Sequence, residues 1–168
     1  MLDFFKSLFT RENVTFVLAV IGSIGSIISG INAFISSRRK PLLQIAGHKI
    51  TDRKSLLIYA GIMNRSNQTI TISNVGMKLG DLIYPCHQYP LMVLEESSHC
   101  GKELLYHHEF YSLSFPVTIP AHGGTSGYIY FEFPEVSIET DSTQATFVID
   151  SNRKKATETT LSLGPQLH

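Results

Sequence analysis

Two hydrophobic periods divide the chain. From Val14 to Ser36 (VTFVLAVIGSIGSIISGINAFIS) apolar and small residues follow one another with no charge on any side of a helical wheel, and Arg38-Arg39-Lys40 closes the run. Beyond Pro41 the period drops to two and turn residues interrupt it at short intervals. The first pattern predicts a spanning helix and the second a β domain.

A helix rising about 1.5 Å per residue covers a hydrocarbon core of about 30 Å within the first run. Its Val, Leu, Ile and Phe residues each favour insertion by about 0.3–0.6 kcal/mol, which outweighs the glycines, serines and Asn32. A cleaved signal peptide would carry an apolar core of about 7–15 residues and then a small-residue cleavage site. Here basic residues stand where a stop-transfer signal belongs. A buried helix of a soluble protein would show a polar face, and this one carries no charge at all. The expected organisation is a short amphipathic segment over residues 1–13, a transmembrane helix over 14–37 and a β-sandwich domain over 38–168. In the first segment Met1, Leu2, Phe4, Phe5, Leu8 and Phe9 share one helical face, suited to lying in a membrane interface before the chain turns at Glu12-Asn13.

Small residues inside the apolar run fall on one face: Ala19, Gly22, Ser26, Ser29, Gly30 and Ala33 recur at steps of three, four and one. Such a face admits a partner helix closely, which predicts pairing with a second copy or with another membrane helix. Basic residues set the orientation. Lys6 and Arg11 precede the run, whereas Arg38, Arg39, Lys40, Lys49, Arg53 and Lys54 follow it. The positive-inside rule then places the large C-terminal domain in the cytoplasm of a single-pass cell-membrane protein.

Strands are expected at Leu42–Ile50, Ser55–Met63, Thr69–Ser73, Val75–Leu79 and Leu82–Tyr84, then at Phe115–Ile119, Gly127–Phe133, Ala145–Ile149 and Thr157–Leu163. Their alternation turns Ile70, Ile72, Ile129, Phe131, Phe133, Phe147 and Ile149 inward. Prolines at 85, 90, 116 and 120 argue against long helices through the middle. Short antiparallel strands with one apolar face each fit two sheets packed together, with a partly open barrel as the alternative.

Ile58–Ile72 (IYAGIMNRSNQTITI) and Phe115–Phe133 (FPVTIPAHGGTSGYIYFEF), where a proline-glycine corner leads into an aromatic-rich strand, resemble immunoglobulin-like domains. With its anchor, the whole chain resembles small single-pass β-sandwich proteins of Gram-positive bacteria and their prophages. The resemblance implies a mainly β fold, an antiparallel immunoglobulin-like β-sandwich preceded by one transmembrane α-helix. The Cys…Trp…Cys core of antibody domains is absent, since the sequence has no tryptophan. The resemblance assigns no functional residue.

Composition narrows the function. Lys plus Arg and Asp plus Glu stand at 14 each, and no basic stripe follows Lys40, so nucleic acid is not an expected partner. Cys86-His87 and His99-Cys100 offer the ligand types zinc prefers. Adjacent ligands on a strand point to opposite faces, however, and the usual knuckle spacing is missing, so neither a metal nor any other cofactor is expected. On the cytoplasmic side the two cysteines would be free thiols in a loop. His107-His108-Glu109 and Glu95-Glu96 supply acid-base groups beside no recognisable nucleophile, and His122-Gly123-Gly124 reads as a turn rather than an oxyanion motif. No enzyme is expected.

The segment from Tyr84 to Tyr111 shows little strand patterning and carries Tyr84, Tyr89, Tyr106, Phe110 and Tyr111. It reads as a tyrosine-rich interface loop or as a cross-sheet connection holding a short helix over Glu103–Glu109. The functional expectation is a membrane-anchored, non-enzymatic interaction module with the lipid bilayer and a protein as partners. The alternative is an externally exposed ligand or envelope-component sensor tethered by an uncleaved signal anchor.

Overall fold

The computed structural model describes residues 11–37, 40–51, 54–100, 103–134, 143–153 and 156–167. The expected interfacial segment Met1–Thr10 lies outside them. The chain divides into two compact units between Arg39 and Lys40; among the described residues the first holds one helix and the second ten strands.

Helix α1 runs from Arg11 to Ser37. Its stretch Asn13–Ile35, with a mean hydropathy of 2.2, is long and apolar enough to cross a membrane. Glu12 and Asn13 are already helical, so the expected turn there does not form. The helix exposes Phe16, Leu18, Ile21 and Ile27 on its surface. A Cβ added at Gly22, Gly25 or Gly30 would meet nothing within 4 Å, so the small-residue side of the helix is open.

The strands are β1 (Leu42–Thr51), β2 (Ser55–Met63), β3 (Ile70–Leu79), β4 (Leu82–Pro85), β5 (Met92–Cys100), β6 (Glu103–Tyr111), β7 (Val117–Ile119), β8 (Gly124–Glu132), β9 (Gln144–Ser151) and β10 (Thr157–Ser162). One sheet has the order β1-β2-β8; a second has the order β10-β9-β3-β4, with β7 also paired to β3. All these strand pairs are antiparallel. Strands expected separately at 69–73 and 75–79 are one strand, interrupted by a register shift between Ile72 and Asn74 against β9. A bulge of this kind re-phases the alternation, which is why Ile70 and Ile72 on one side of it and Val75 and Met77 on the other all reach the core.

That core is a single cluster fed by both sheets: Leu56, Ile58 and Ile62 from β2, Ile129 and Phe131 from β8, and Ile72, Phe147 and Ile149 from β3 and β9. Phe131 and Phe147, from opposite sheets, meet with ring centroids 5.9 Å apart. The expected inward residues are therefore inward. Strand β2, flanked by β1 and β8, is buried almost along its whole length, as its near-continuous apolar sequence demands.

Two polar devices close the fold. Asn64, 2% exposed, points its amide nitrogen at the carbonyls of Gln68, Ile119 and Pro120 at 2.7, 3.2 and 2.9 Å. It thereby ties the β2–β3 corner to the β7–β8 corner. The second device is the segment after β10, which bridges to β1 in parallel at His48 and Gln166, with Leu167 N donating to His48 O at 2.6 Å. Gly164 makes that return possible, because its φ of 71° is left-handed and a Cβ there would sit 3.2 Å from Ala46 O.

Candidate interaction surface

The segment expected to be a loop is instead a two-stranded ribbon of β5 and β6. Neither the structureless loop nor the helix over Glu103–Glu109 forms. The reason lies across the strands rather than along them: both faces of the ribbon meet solvent over much of its length, so no alternation of burial is needed, and paired side chains hold the register. At its base Ser112 N donates to Leu91 O at 2.8 Å and Leu91 N donates to Ser112 Oγ at 2.9 Å. The turn at residues 101–102 is outside the described residues.

Register assigns the side chains to two faces. Leu94 opposes Phe110, Glu96 opposes His108 and Ser98 opposes Tyr106 on one; Met92 opposes Tyr111, Glu95 opposes Glu109 and Ser97 opposes His107 on the other. On the first face Phe110 packs edge-on against Tyr128 of β8 at 5.8 Å and against His108 at 4.6 Å. Tyr128 in turn meets Tyr59 at 5.0 Å, so a row of aromatic rings runs from the sheet onto the ribbon. The Glu96 carboxylate beside it pushes the Tyr106 hydroxyl above the usual phenol range, and partial burial does the same to Tyr128.

On the second face Glu95 and Glu109 stand directly opposite one another, an arrangement that repels unless a donor intervenes. His107 supplies it, with Nδ1 3.4 Å from Glu95 and Nε2 3.3 Å from Glu109. Tyr111 donates its hydroxyl to the other oxygen of Glu109. The hydroxyl of Tyr111 first, and His107 second, hold the Glu109 carboxyl below the ordinary range. The imidazole thus sits between the two facing carboxylates of the ribbon, one at each of its nitrogens.

The five aromatic residues expected at one interface separate. Tyr89, Tyr106 and Tyr111 are exposed, Tyr89 to 76%, and Leu105 at 63% joins them. Phe110 is half-buried under Tyr128. Tyr84 belongs to the sandwich, packing edge-on against Phe133 at 5.2 Å, and its hydroxyl is buried with no hydrogen-bond partner among the described residues. Sequence reasoning missed Leu105 because a lone leucine among polar neighbours carries no periodic signal.

The Cys–His pairs do not converge in the described part of the chain. Cys86 is 3% exposed and in the core, with Sγ 3.4 Å from Asn74 Oδ1, and burial pushes its thiol up. It bridges to Phe131 of β8 rather than lying in a loop. His87 turns outward, its Nδ1 3.0 Å from Tyr89 O, over a cleft of about 350 Å³ that Glu132 also lines. The side chains of His99 and Cys100, at the far end of β5, lie outside the described residues. No group of three or more His, Cys, Asp or Glu suited to a metal occurs among the described residues. His122 adopts φ 55° in the turn after Pro120 and donates its backbone N–H to Ser66 O, a corner residue as expected. A second groove, of about 680 Å³, runs along Leu42–Ala46 of β1 beside Leu161 and Ser162.

Compared with known protein families and with characterised proteins, the chain shows no match.

Proposed function

We propose that this protein is a single-pass, membrane-tethered, non-enzymatic binding module whose β5–β6 ribbon contacts another protein. The observation that carries the reading is the ribbon itself, a pair of strands presenting Leu105, Tyr106 and Tyr111 to solvent. Tyrosine side chains of this kind bury amphipathic area at little entropic cost. A two-stranded ribbon is marginal in water on its own, so its retention outside both sheets of the sandwich favours a role beyond packing.

The remaining elements fit that role. Strand order β1-β2-β8 against β10-β9-β3-β4 corresponds to strands A-B-E and G-F-C-C′ of an immunoglobulin-like sandwich, which supports that fold for the domain. Helix α1 supplies the membrane location, and its face of Gly22, Ser26 and Gly30 suits a neighbouring helix. The basic residues after α1 favour a cytoplasmic domain in the cell membrane.

Sidedness is tested with a Tyr89→Cys, Cys100→Ser chain in intact cells, since Cys86 is buried and labels slowly on either side. An impermeant maleimide should leave Cys at position 89 unlabelled until the membrane is permeabilised. Prompt labelling of intact cells overturns the cytoplasmic placement and favours the externally exposed sensor.

A further inference from the structure

Asn64 and Ser66 are buried, so Arg65 between them is turned out to solvent. The Ser66 hydroxyl accepts from the Arg153 guanidinium, which fixes a second cation at the same corner. We propose that this end of the β domain, formed by residues 64–69, 120–123 and 152–153, docks on anionic lipid headgroups. The proposal rests on the reading of α1 as a membrane anchor and adds a second contact with the same bilayer.

The three corners share one end of the sandwich. Asn64 N donates to Gly123 O at 2.8 Å, His122 N to Ser66 O at 3.1 Å and Asn152 N to Thr71 O at 2.9 Å. The chain also enters the domain there, because Leu42 at the start of β1 pairs with Met63 at the end of β2, and Met63 pairs with Gly124. Lys40, two residues before Leu42, is exposed. Lys40, Arg65 and Arg153 thus come from three distant parts of the sequence, where they form no stripe, and the fold gathers them. Lys154 and Lys155 follow Arg153 in the sequence of the β9–β10 connection.

The formal net charge of the chain is zero, yet its carboxylates lie elsewhere. Asp81 and Glu132 stand at the far turns, Glu158 is bound to Lys78 at 2.9 Å, and Glu95, Glu96 and Glu109 belong to the ribbon. Asp150, opposite Asn74, is the nearest by register among the described residues. Exposed Met63, Pro120 and Ala121 place apolar side chains among the cations, a mixture suited to a headgroup layer.

The covalent chain selects the occupant. Five peptide steps separate Ser37, the last residue of α1, from Leu42, and an extended chain covers at most about 3.6 Å per step, or about 18 Å. A helix that ends in a membrane interface therefore keeps the entry to the domain within that distance of the headgroups, at a high effective concentration. Cations so held are attracted by an anionic leaflet. An acidic protein has no such tether.

The sequence has no tryptophan, so Ala121→Trp gives the full chain a single reporter at this end. Leu82→Trp gives one at the opposite end of β3, about 30 Å from Ile70. Each is reconstituted in phosphatidylcholine vesicles, with or without phosphatidylserine, that contain a nitroxide-headgroup lipid quenching tryptophan on contact. At low salt phosphatidylserine should quench the reporter at position 121 about fivefold more strongly than phosphatidylcholine alone, and leave the one at position 82 unchanged. Arg65→Glu combined with Lys154→Glu and Lys155→Glu should remove the difference with the circular dichroism of the domain unchanged. Salt well above physiological strength should remove it in the parent chain. Equal quenching at position 121 in the two lipids would show the tether acting alone and overturn the proposal. Loss of partner capture by the charge-reversed chain, with its quenching unchanged, overturns it in favour of an acidic protein. A chain that fails to float with phosphatidylcholine vesicles overturns the anchor and the docking with it, whereas one that floats without a phosphatidylserine effect overturns the docking alone.

Discussion

The side-chain oxygen of Asn64 lies 2.7 Å from the hydroxyl of Ser66, and both residues are buried. The same oxygen accepts the Ser66 backbone N–H at 3.0 Å, while the Arg153 guanidinium donates to the Ser66 hydroxyl from the β9–β10 connection. Three corners of the domain thus meet at two small side chains. Asn64→Ala would remove the donor shared by the carbonyls of Gln68, Ile119 and Pro120; the Gln68 carbonyl keeps the Ser66 hydroxyl at 2.8 Å, so the cost falls on the Ile119 and Pro120 carbonyls at about 1–3 kcal/mol for each group left unsatisfied. A loss of about 3 kcal/mol is expected in urea unfolding, and Asn64→Asp, which keeps the acceptor and removes the donors, should lose nearly as much.

Tyr84→Phe should act in the other direction. It removes a hydroxyl that is buried without a partner among the described residues and keeps the edge-on contact with Phe133. A gain of about 1 kcal/mol is expected, read as a higher urea midpoint at unchanged m value. A loss would show that the hydroxyl is bonded to water.

Cys86 imposes an alkaline limit. Burial raises its thiol pKa in the folded chain, so its stabilising contribution is complete below the ordinary thiol range. That contribution falls as the pH rises from there toward the raised value, because the unfolded chain ionises first. The stability difference between the native chain and Cys86→Ala should therefore shrink between neutral and strongly alkaline pH; a difference independent of pH would contradict the assignment.

Glu109 has the opposite sign. Its carboxyl is lowered by Tyr111 and then by His107, so the network is intact above the ordinary carboxylate range and is lost as pH falls through the lowered value. Tyr111→Phe should move the Glu109 carboxyl back up, measured by its carbon chemical shift in a pH titration. Since the group is fully exposed, global stability should hardly respond.

Removing the whole ribbon tests the interaction surface. Leu91 and Ser112 already bond to each other, so replacing residues 93–110 by a short glycine-containing turn leaves the sandwich closed. Folding should be retained and partner capture in a membrane pull-down lost. Excising only Leu91–Gly101 is a poorer choice, because it removes β5 and leaves β6 unpaired.

How far the sequence announced this structure depends on whether burial is one-sided. Strands β8 and β9 alternate because one face meets the core, and Ile129, Phe131, Phe147 and Ile149 were readable for that reason. Strand β2 was readable from its continuous apolar run. In β3 the bulge broke the alternation and made one strand resemble two. The ribbon was not legible, since Val93–Cys100 and Glu103–Phe110 encode pairing in side chains opposite one another, Glu95 and Glu109 about His107, and a pattern along one strand cannot show that. Tyr84 resembled an interface residue because it opens a tyrosine-rich segment with little strand patterning, while its own contact, Phe133, is far along the chain.

The position of β2 between β1 and β8 has a consequence for how the chain acquires its fold. Its first partner is adjacent in sequence, and its second, through pairs such as Ile58 with Ile129, arrives only after β3 to β7 have been made. During synthesis the apolar run Ser55–Met63 therefore waits as one edge of a hairpin, its outer row of backbone groups unpaired. Non-local pairing of this kind is slow, and a waiting apolar edge is a site for misassociation. The domain's folding yield should thus be governed by the delay before residues 124–132 emerge, so that slowed translation downstream of β2 lowers it.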